Sequence, residues 1–468
     1  MENLLRELKD NNIVISLKEK DLKIKFNGPQ LPASILEKLK NNKVQLIEYL
    51  SRLNTEDPGQ HILPANERAY YPLSSSQRRL WILSQFEDGN IAYNIPGTFV
   101  FEGALQTSAL DHAFKALVNR HEILRTVFRE DETGEVRQFI LPADAADCNI
   151  FYQDLQNETD QDTQLRHLVQ QEFIKPFDLA AGPLIRVSVY QVAPNKWTFV
   201  YVLHHIITDG WSIDLLNKEL LVLYTAFSKK EDNLLQPLRI QFKDYAVWEQ
   251  ELLKARSLNG HRDYWLKQFE GEIPVLDLYG DHPRPAVKTF NGSSISTNIN
   301  EKISTGLKLL GREQGGTLFM SLLASVYTLL YKYTGQEDIV IGSPIAGRGH
   351  IELENQIGFY VNTLALRTRF NAAGNYHRLL QQVKEVTMAA YTHQVYPFDE
   401  LVSELDFQRD PGRSPLFDVM VVLANTKISN NNNTEEFPEE IKISGDRRWE
   451  RVISKFDLTF NFAEVRST

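Results

Sequence analysis

The run Trp197–His205 (WTFVYVLHH) constrains the fold more than any other stretch of this chain. Side chains alternate across a strand, and here both faces are largely apolar. A strand of that kind belongs in the middle of a sheet that is covered on both sides. The rest of the sequence supplies the covering layers. Leu105–Asn119, Leu215–Phe227, Thr317–Tyr333 and Leu379–Thr392 carry apolar residues at helical spacing. Ile339–Ile341, followed by a Gly-Ser-Pro turn, and Val419–Leu423 and Leu458–Phe462 read as further strands, and residues 430–436 read as a polar loop tip. Strands alternating with helices predict an α/β fold. At 468 residues the chain exceeds what one hydrophobic core holds, so two or three domains are expected.

Charge and cysteine content narrow the function. The net charge is −10, which argues against nucleic acid as the main partner. Cys148 is the sole cysteine, so neither an intramolecular disulfide nor a cysteine-based zinc site can be built. The N-terminus is charged from Glu2 onward and lacks an apolar signal core, and no apolar run approaches membrane-spanning length. A cytoplasmic protein without a membrane partner is the expectation.

Residues 1–53 read as a separate unit. Leu4, Leu5 and Leu8 sit at helical spacing, Ile13–Leu17 and Leu22–Phe26 are β-prone runs around a turn at Lys18–Asp21, and residues 33–40 and 44–53 are helical. The segment holds 10 Lys+Arg against 7 Asp+Glu, a balance of +3, which leaves −13 for the remainder. Residues 54–69 contain two prolines and no apolar period, as a linker does.

The chemistry concentrates in HHIITDGWS, His204–Ser212. By strand parity His205 shares a face with Trp197, Phe199, Tyr201 and Leu203, while His204 points the other way, so only one of the two lines a given cavity. Asp209, in a tight turn, is placed to pair with an arginine, and Gly210 permits close approach to the backbone. Two adjacent histidines on opposite faces chelate a metal poorly, and no third ligand is near, so no metal site is expected. Alone, such a pair is more often structural than catalytic. No nucleophile elbow or phosphate-binding loop is present.

The string resembles the HHxxxDG signature of nonribosomal peptide synthetase condensation domains. Six further segments resemble that family's motifs in the family's order: Ser74–Leu83 (SSSQRRLWIL), Arg120–Phe128 (RHEILRTVF), Phe242–Trp248 (FKDYAVW), Ile357–Thr363 (IGFYVNT), His393–Leu401 (HQVYPFDEL) and Arg409–Asp418 (RDPGRSPLFD). The resemblance implies two chloramphenicol-acetyltransferase-like lobes joined in a V, residues 70–240 and 241–468, with a tunnel between them. Donor and acceptor carrier proteins present thioesters on phosphopantetheine arms from the two ends, and the chain itself binds no cofactor. His205 is implied as the catalytic base or amine-positioning group and His204 as its structural support. Asp209 is implied to brace the loop through an arginine, with Arg125 the first choice and Arg348 the second. Gly210 offers a backbone N–H near developing charge, and Trp211 and Asn362 line the tunnel, a strand-end cap being the other use for Asn362.

Residues 1–53 resemble the N-terminal docking domains of the tubulysin-synthetase type, small α/β units whose hairpin accepts the C-terminal tail of an upstream synthetase. Lys18, Lys20, Lys23 and Lys25 on the proposed hairpin fit an acidic tail, although lysines also protect an exposed edge from aggregation. The family pattern continues past Leu458–Phe462 with another strand and helices, so the second lobe is expected to be cut short. The adenylation domain that would complete a module lies downstream of such a fragment. A noncatalytic or epimerising relative used as a recruitment module is the alternative.

Overall fold

The computed structural model describes residues 13–18, 21–26, 38, 39, 43, 61–86, 89–233, 235–407, 410–424, 442–445 and 453–464. The chain divides into two units, Met1–Ile62 and Leu63–Thr468.

In the first unit, β1 (Ile13–Lys18) and β2 (Asp21–Phe26) form an antiparallel hairpin with Lys18 opposite Asp21 and Ile13 opposite Phe26. Among the described residues this sheet has two strands, so each keeps an outer edge without a ladder. The helix expected around Leu4–Leu8 lies outside the described residues. So do Lys20 and most of the two later helical stretches; Lys38 and Leu39 of the first are helical, as is Lys43 just before the second.

The second unit begins with a segment expected to be linker. Residues 63–69 have no regular structure, yet the Ala65 N–H donates to Asp244 Oδ1 at 2.8 Å and the Arg68 N–H donates to the Tyr71 hydroxyl. The chain then passes through β3 (Tyr71–Pro72), α1 (Ser75–Ser84), β4 (Asn94–Glu102), α2 (Thr107–Arg120), β5 (Thr126–Glu130), β6 (Val136–Ile140), β7 (Ile150–Asp154), α3 (Gln161–Ile174), β8 (Ile185–Ala193), β9 (Lys196–His204) and α4 (Gly210–Ser228). Strand β9 lies between β4 and β8, antiparallel to both, in a five-stranded sheet ordered β13-β4-β9-β8-β7, where β13 is Lys442–Gly445. Every residue from Thr198 to His204 is buried, as the two-faced apolar pattern requires. A small antiparallel sheet, β3-β6-β5, flanks this lobe.

The chain continues with α5 (Phe242–Lys254), α6 (Asn259–Gln268), α7 (Glu301–Glu313), α8 (Leu318–Thr334), β10 (Asp338–Ile345), β11 (Asn362–Arg369), α9 (Tyr376–Thr392), α10 (Phe398–Glu404), β12 (Val419–Ala424), β13 (Lys442–Gly445) and β14 (Leu458–Ala463), and the other lobe is built on β10, β11, β12 and β14. Its sheet runs β11-β10-β12-β14. Helix α8 buries Met320, Leu323, Tyr327 and Leu330 in one core with β10, β11 and β12. Thr317 caps its N-terminus, accepting from the Met320 N–H, and Gly335 at φ 72° ends it. Two expectations change here. The Gly-Ser-Pro turn is strand: Gly342, Ser343 and Pro344 pair with Ala365, Leu364 and Thr363. Strand β13 leaves the second half of the chain and pairs antiparallel with β4 in the first sheet.

Candidate active site

The two-histidine string sits where β9 leaves its sheet. The strand stops at His204, so parity does not place His205. His205 opens a single 3₁₀ turn, His205–Ile207, and its side chain leaves the strand's alternation. The turn is fastened from several sides. The His205 N–H donates to the Tyr93 carbonyl at 2.8 Å, and Nε2 of Gln77, a buried residue of α1, donates to the Ile206 carbonyl at 3.1 Å. Ser74 and Gln77 form a capping box that fixes the start of that helix.

The histidines differ in chemistry. His204 is fully buried, and its Nδ1 accepts from the Ile206 N–H at 3.2 Å. Burial first, and the Lys455 ammonium second, push it down to about 3, so it is neutral with its proton on Nε2. His205 Nδ1 lies 2.7 Å from the Thr208 carbonyl. A carbonyl only accepts, so Nδ1 carries the proton and Nε2 carries the lone pair. Burial, then Lys455, hold His205 well below the usual histidine range. Nε2 of His205 has no hydrogen-bond partner among the described residues. The Phe359 ring meets the imidazole edge to face at 4.8 Å, and Tyr93 stands 6.3 Å away.

Behind the turn, Asp209 caps the 19-residue α4, its Oδ1 accepting from the Ser212 N–H at 2.8 Å. Arg348 Nη2 donates to Asp209 Oδ1 at 3.1 Å and to the Ser212 hydroxyl at 2.7 Å, and Tyr360 N–H donates to Asp209 Oδ2 at 3.1 Å. Arg348 Nη1 holds the carbonyls of Leu353 and Gln356. The guanidinium lies over the Tyr360 ring at 4.2 Å, and the two charged side chains are 2% and 0% exposed. Ser212 Oγ donates to the Gly358 carbonyl at 2.8 Å. This cluster ties the start of α4 to residues 348–360 of the second lobe. Gly347 sets up Arg348: it has φ 66°, and an added Cβ would stand 1.8 Å from the Tyr360 carbonyl oxygen. Gly347→Ala is therefore expected to cost at least about 2 kcal/mol, since neither the left-handed backbone nor the packing accepts a side chain. Urea unfolding measures it.

The other sequence choices separate. Arg125, the first choice as partner for Asp209, is elsewhere: its Nη1 donates to the Leu141 carbonyl and its Nη2 lies 3.9 Å from Glu122. Gly210 is exposed at the first turn of α4, and a Cβ there would meet nothing within 4 Å. Trp211 is 47% exposed, with Nε1 donating to the Glu354 carbonyl at 2.9 Å. The Asn362 amide is engaged throughout. It donates to the carbonyls of Gln394 and Tyr396 and accepts from the N–H groups of Thr363 and Phe398, a cap at the start of β11. Lys18, Lys23 and Lys25 lie on the hairpin strands. Sequence reading missed Tyr93, Gln77, Ser212, Phe359, Tyr360 and Lys455. Two of these have a local signal: Ser212, three residues after an Asp cap, and Gln77, three residues after Ser74 in a capping-box pattern.

No group of three or more His, Cys, Asp or Glu side chains able to hold a metal occurs among the described residues, and none of their helices is long and apolar enough to cross a membrane.

A family profile described as "Condensation domain" matches residues 67–468. A plipastatin synthase polypeptide of Bacillus subtilis (strain 168) is 40% identical over 425 residues, covering 90% of this chain and 11% of that protein. Gramicidin S synthase 2 of Brevibacillus brevis is 40% identical over 380 residues, covering 81% of this chain and 8% of that protein. The chain thus spans about a tenth of these relatives. Among solved structures, the X-domain from teicoplanin biosynthesis superposes with a TM-score of 0.77 at 23% identity, covering 87% of this chain and 88% of that one. A four-domain nonribosomal peptide synthetase bound to AMP and glycine does so with 0.73 at 24% identity, covering 86% and 31%.

Proposed function

The chain belongs to the condensation-domain family, and from that premise we propose that it forms the amide bond between two carrier-bound substrates in nonribosomal peptide synthesis. The donor is an acyl or peptidyl thioester, the acceptor an aminoacyl thioester, each on the phosphopantetheine arm of its own carrier protein. An adenylation domain downstream loads the acceptor carrier. Plipastatin synthase and gramicidin S synthase point to this class of product assembly, and a cytoplasmic setting goes with it.

The observation that carries the reading is His205 Nε2. It is a neutral, lone-pair nitrogen whose tautomer is fixed by the Thr208 carbonyl and which no described protein group occupies. In the step proposed, the acceptor nitrogen attacks the donor thioester carbon, a C–N bond forms and the C–S bond breaks. The amine loses one proton to Nε2, and His205 returns it to the departing thiolate. The thioester is already activated, so holding the two tethered ends together supplies much of the acceleration. Gly210, with open space where a Cβ would be, offers its N–H and the N-terminus of α4 to the carbonyl oxygen as it gains charge. Trp211 borders the acceptor path. The test mixes the chain with an acyl-loaded donor carrier and an aminoacyl-loaded acceptor carrier and follows the condensed product on the acceptor by mass spectrometry. No product with any donor sinks the reading in favour of a recruitment module on the same scaffold. An X-domain of this fold is seen in complex with OxyB, which is the precedent for that outcome.

The first unit is proposed as a dock for the acidic C-terminal segment of an upstream synthetase. Its support is the two-stranded hairpin, which leaves backbone donors and acceptors for an added strand, together with Lys18, Lys20, Lys23 and Lys25. Replacing the four lysines by glutamate in the full chain is expected to abolish binding of an acidic peptide. Wild-type affinity should fall as salt rises. Calorimetric titration at two salt concentrations checks both, and charge-indifferent binding would place the partner on another surface.

A further inference from the structure

Lys455 stands outside every motif that the sequence singled out, yet it lies against the reaction centre. Its Nζ is 4.6 Å above the Tyr93 ring, and that residue also packs beside the His205 imidazole and takes the His205 N–H on its carbonyl. The backbone around it is fastened firmly. Lys288 Nζ donates to the Lys455 carbonyl and to the Ser414 hydroxyl, the Ser454 N–H donates to the Phe290 carbonyl at 2.9 Å, and Asn291 bridges Ile453. The Phe456 ring stacks on Phe417 at 5.3 Å. Lys455 is therefore held at a fixed point just before β14.

We propose that Lys455 is a further functional residue of the condensation, imposing a positive field on the His205 end of the site so that the acceptor enters and stays as the free amine. The inference rests on the amide-forming function proposed above. An α-ammonium has no lone pair and cannot attack a thioester, and near neutral pH an α-amine in water is largely protonated. A fixed cation in a water-poor site disfavours a second one. The same field acts on both histidines, on which Lys455 exerts the largest charge effect. Among the described residues, the titratable and charged groups around this point are His204 on β9, His205, Tyr93 before β4, Lys288 with Asp457, Asp418 and Arg284 acting on it and, behind Tyr93, the pair Arg79–Asp399 at 3.5 Å. Lys288 is itself lowered to about 8, by burial first and Arg79 second, with Asp457 and Asp418 opposing, so it is mostly charged at pH 7 and loses that charge above about 8.

The test compares wild type, Lys455→Met and Lys455→Arg in the full chain. Two readouts serve: the pH profile of single-turnover amide formation with loaded carriers, and NMR titration of the His205 ring. Lys455→Met should move the acid limb of the rate up by about one pH unit, a loss of about tenfold at pH 7, with little change at pH 9. It should also raise the His205 titration. Lys455→Arg keeps the charge and should restore both. An unchanged profile in Lys455→Met, or a loss in Lys455→Arg equal to that in Lys455→Met at all pH values, overturns the proposal. The NMR arm reads the field on His205 even if wild type makes no amide, so failure of the parent reading is distinguishable from failure of this one.

Discussion

Asp209→Ala is expected to lower the unfolding free energy of the second unit by about 3–5 kcal/mol, because it leaves the buried Arg348 guanidinium without its counter-ion. The loss extends beyond one ion pair. Asp209 also caps α4 through Ser212 and accepts from the Tyr360 N–H, so two buried backbone donors lose their acceptor together. Asp209→Asn should fail to rescue. Its carboxamide has one oxygen and one NH2, whereas Ser212, Tyr360 and Arg348 present donors on both sides. Arg348→Met should cost less than Asp209→Ala, since the cap survives. The double variant should cost less than the sum of the two, which is the signature of coupled groups. Because the cluster joins α4 to residues 348–360, condensation should fall in step with stability. Urea unfolding of wild type and the four variants checks this, and an unchanged Asp209→Ala midpoint would show that the cluster does not hold α4 in place.

What the sequence made legible follows from how local each signal is. Strand β9 and helices α2, α4, α8 and α9 were readable because their apolar periods are long, and the structure finds them within a few residues. The start of α4 is read at Leu215 and lies at Gly210, because the Asp209 cap sets its first turn and Trp211 and Ile213 already belong to the helix. Gly342-Ser343-Pro344 carries turn chemistry but forms strand. Gly342 sits under the Phe417 ring, where a Cβ would come within 2.2 Å, and this packing from 75 residues away overrides the local preference. The place of His205 depended on where a strand ends, and one residue reverses such an argument. Choosing between Arg125 and Arg348 as the partner of Asp209 was beyond local reading, since the pair spans 139 residues. Lys455 was invisible for the same reason: its meaning lies in Tyr93 and two histidines far away in the chain.

His205→Ala should leave the fold intact and reduce amide formation by about 10²-fold or more, the lower end of what a positioned proton acceptor contributes, because the thioester is already activated. His204→Ala should behave differently. It opens a cavity beneath the 3₁₀ turn and removes the acceptor for the Ile206 N–H, so its effect is first on stability. His205→Asn separates two roles. If Nε2 only orients the amine, the carboxamide oxygen preserves part of the rate; if it takes the proton, Asn falls as far as Ala. The pH dependence sharpens the test. His205 is held well below its ordinary value, so it stays neutral as pH falls through about 6.5, and no acid limb there belongs to it. The limb that appears should instead follow the acceptor amine and shift when acceptors of different basicity are compared. Stability carries the opposite mark. Both histidines are buried neutral with lowered values, so the unfolded chain binds more protons below about 6.5, and stability is lost as pH falls from there towards about 3 for His204. His205→Ala should therefore lose less stability than wild type between pH 7 and pH 5. A variant that kept the full wild-type rate with several donors, or a wild-type limb fixed at 6.5 whatever the acceptor, would take the proton away from His205.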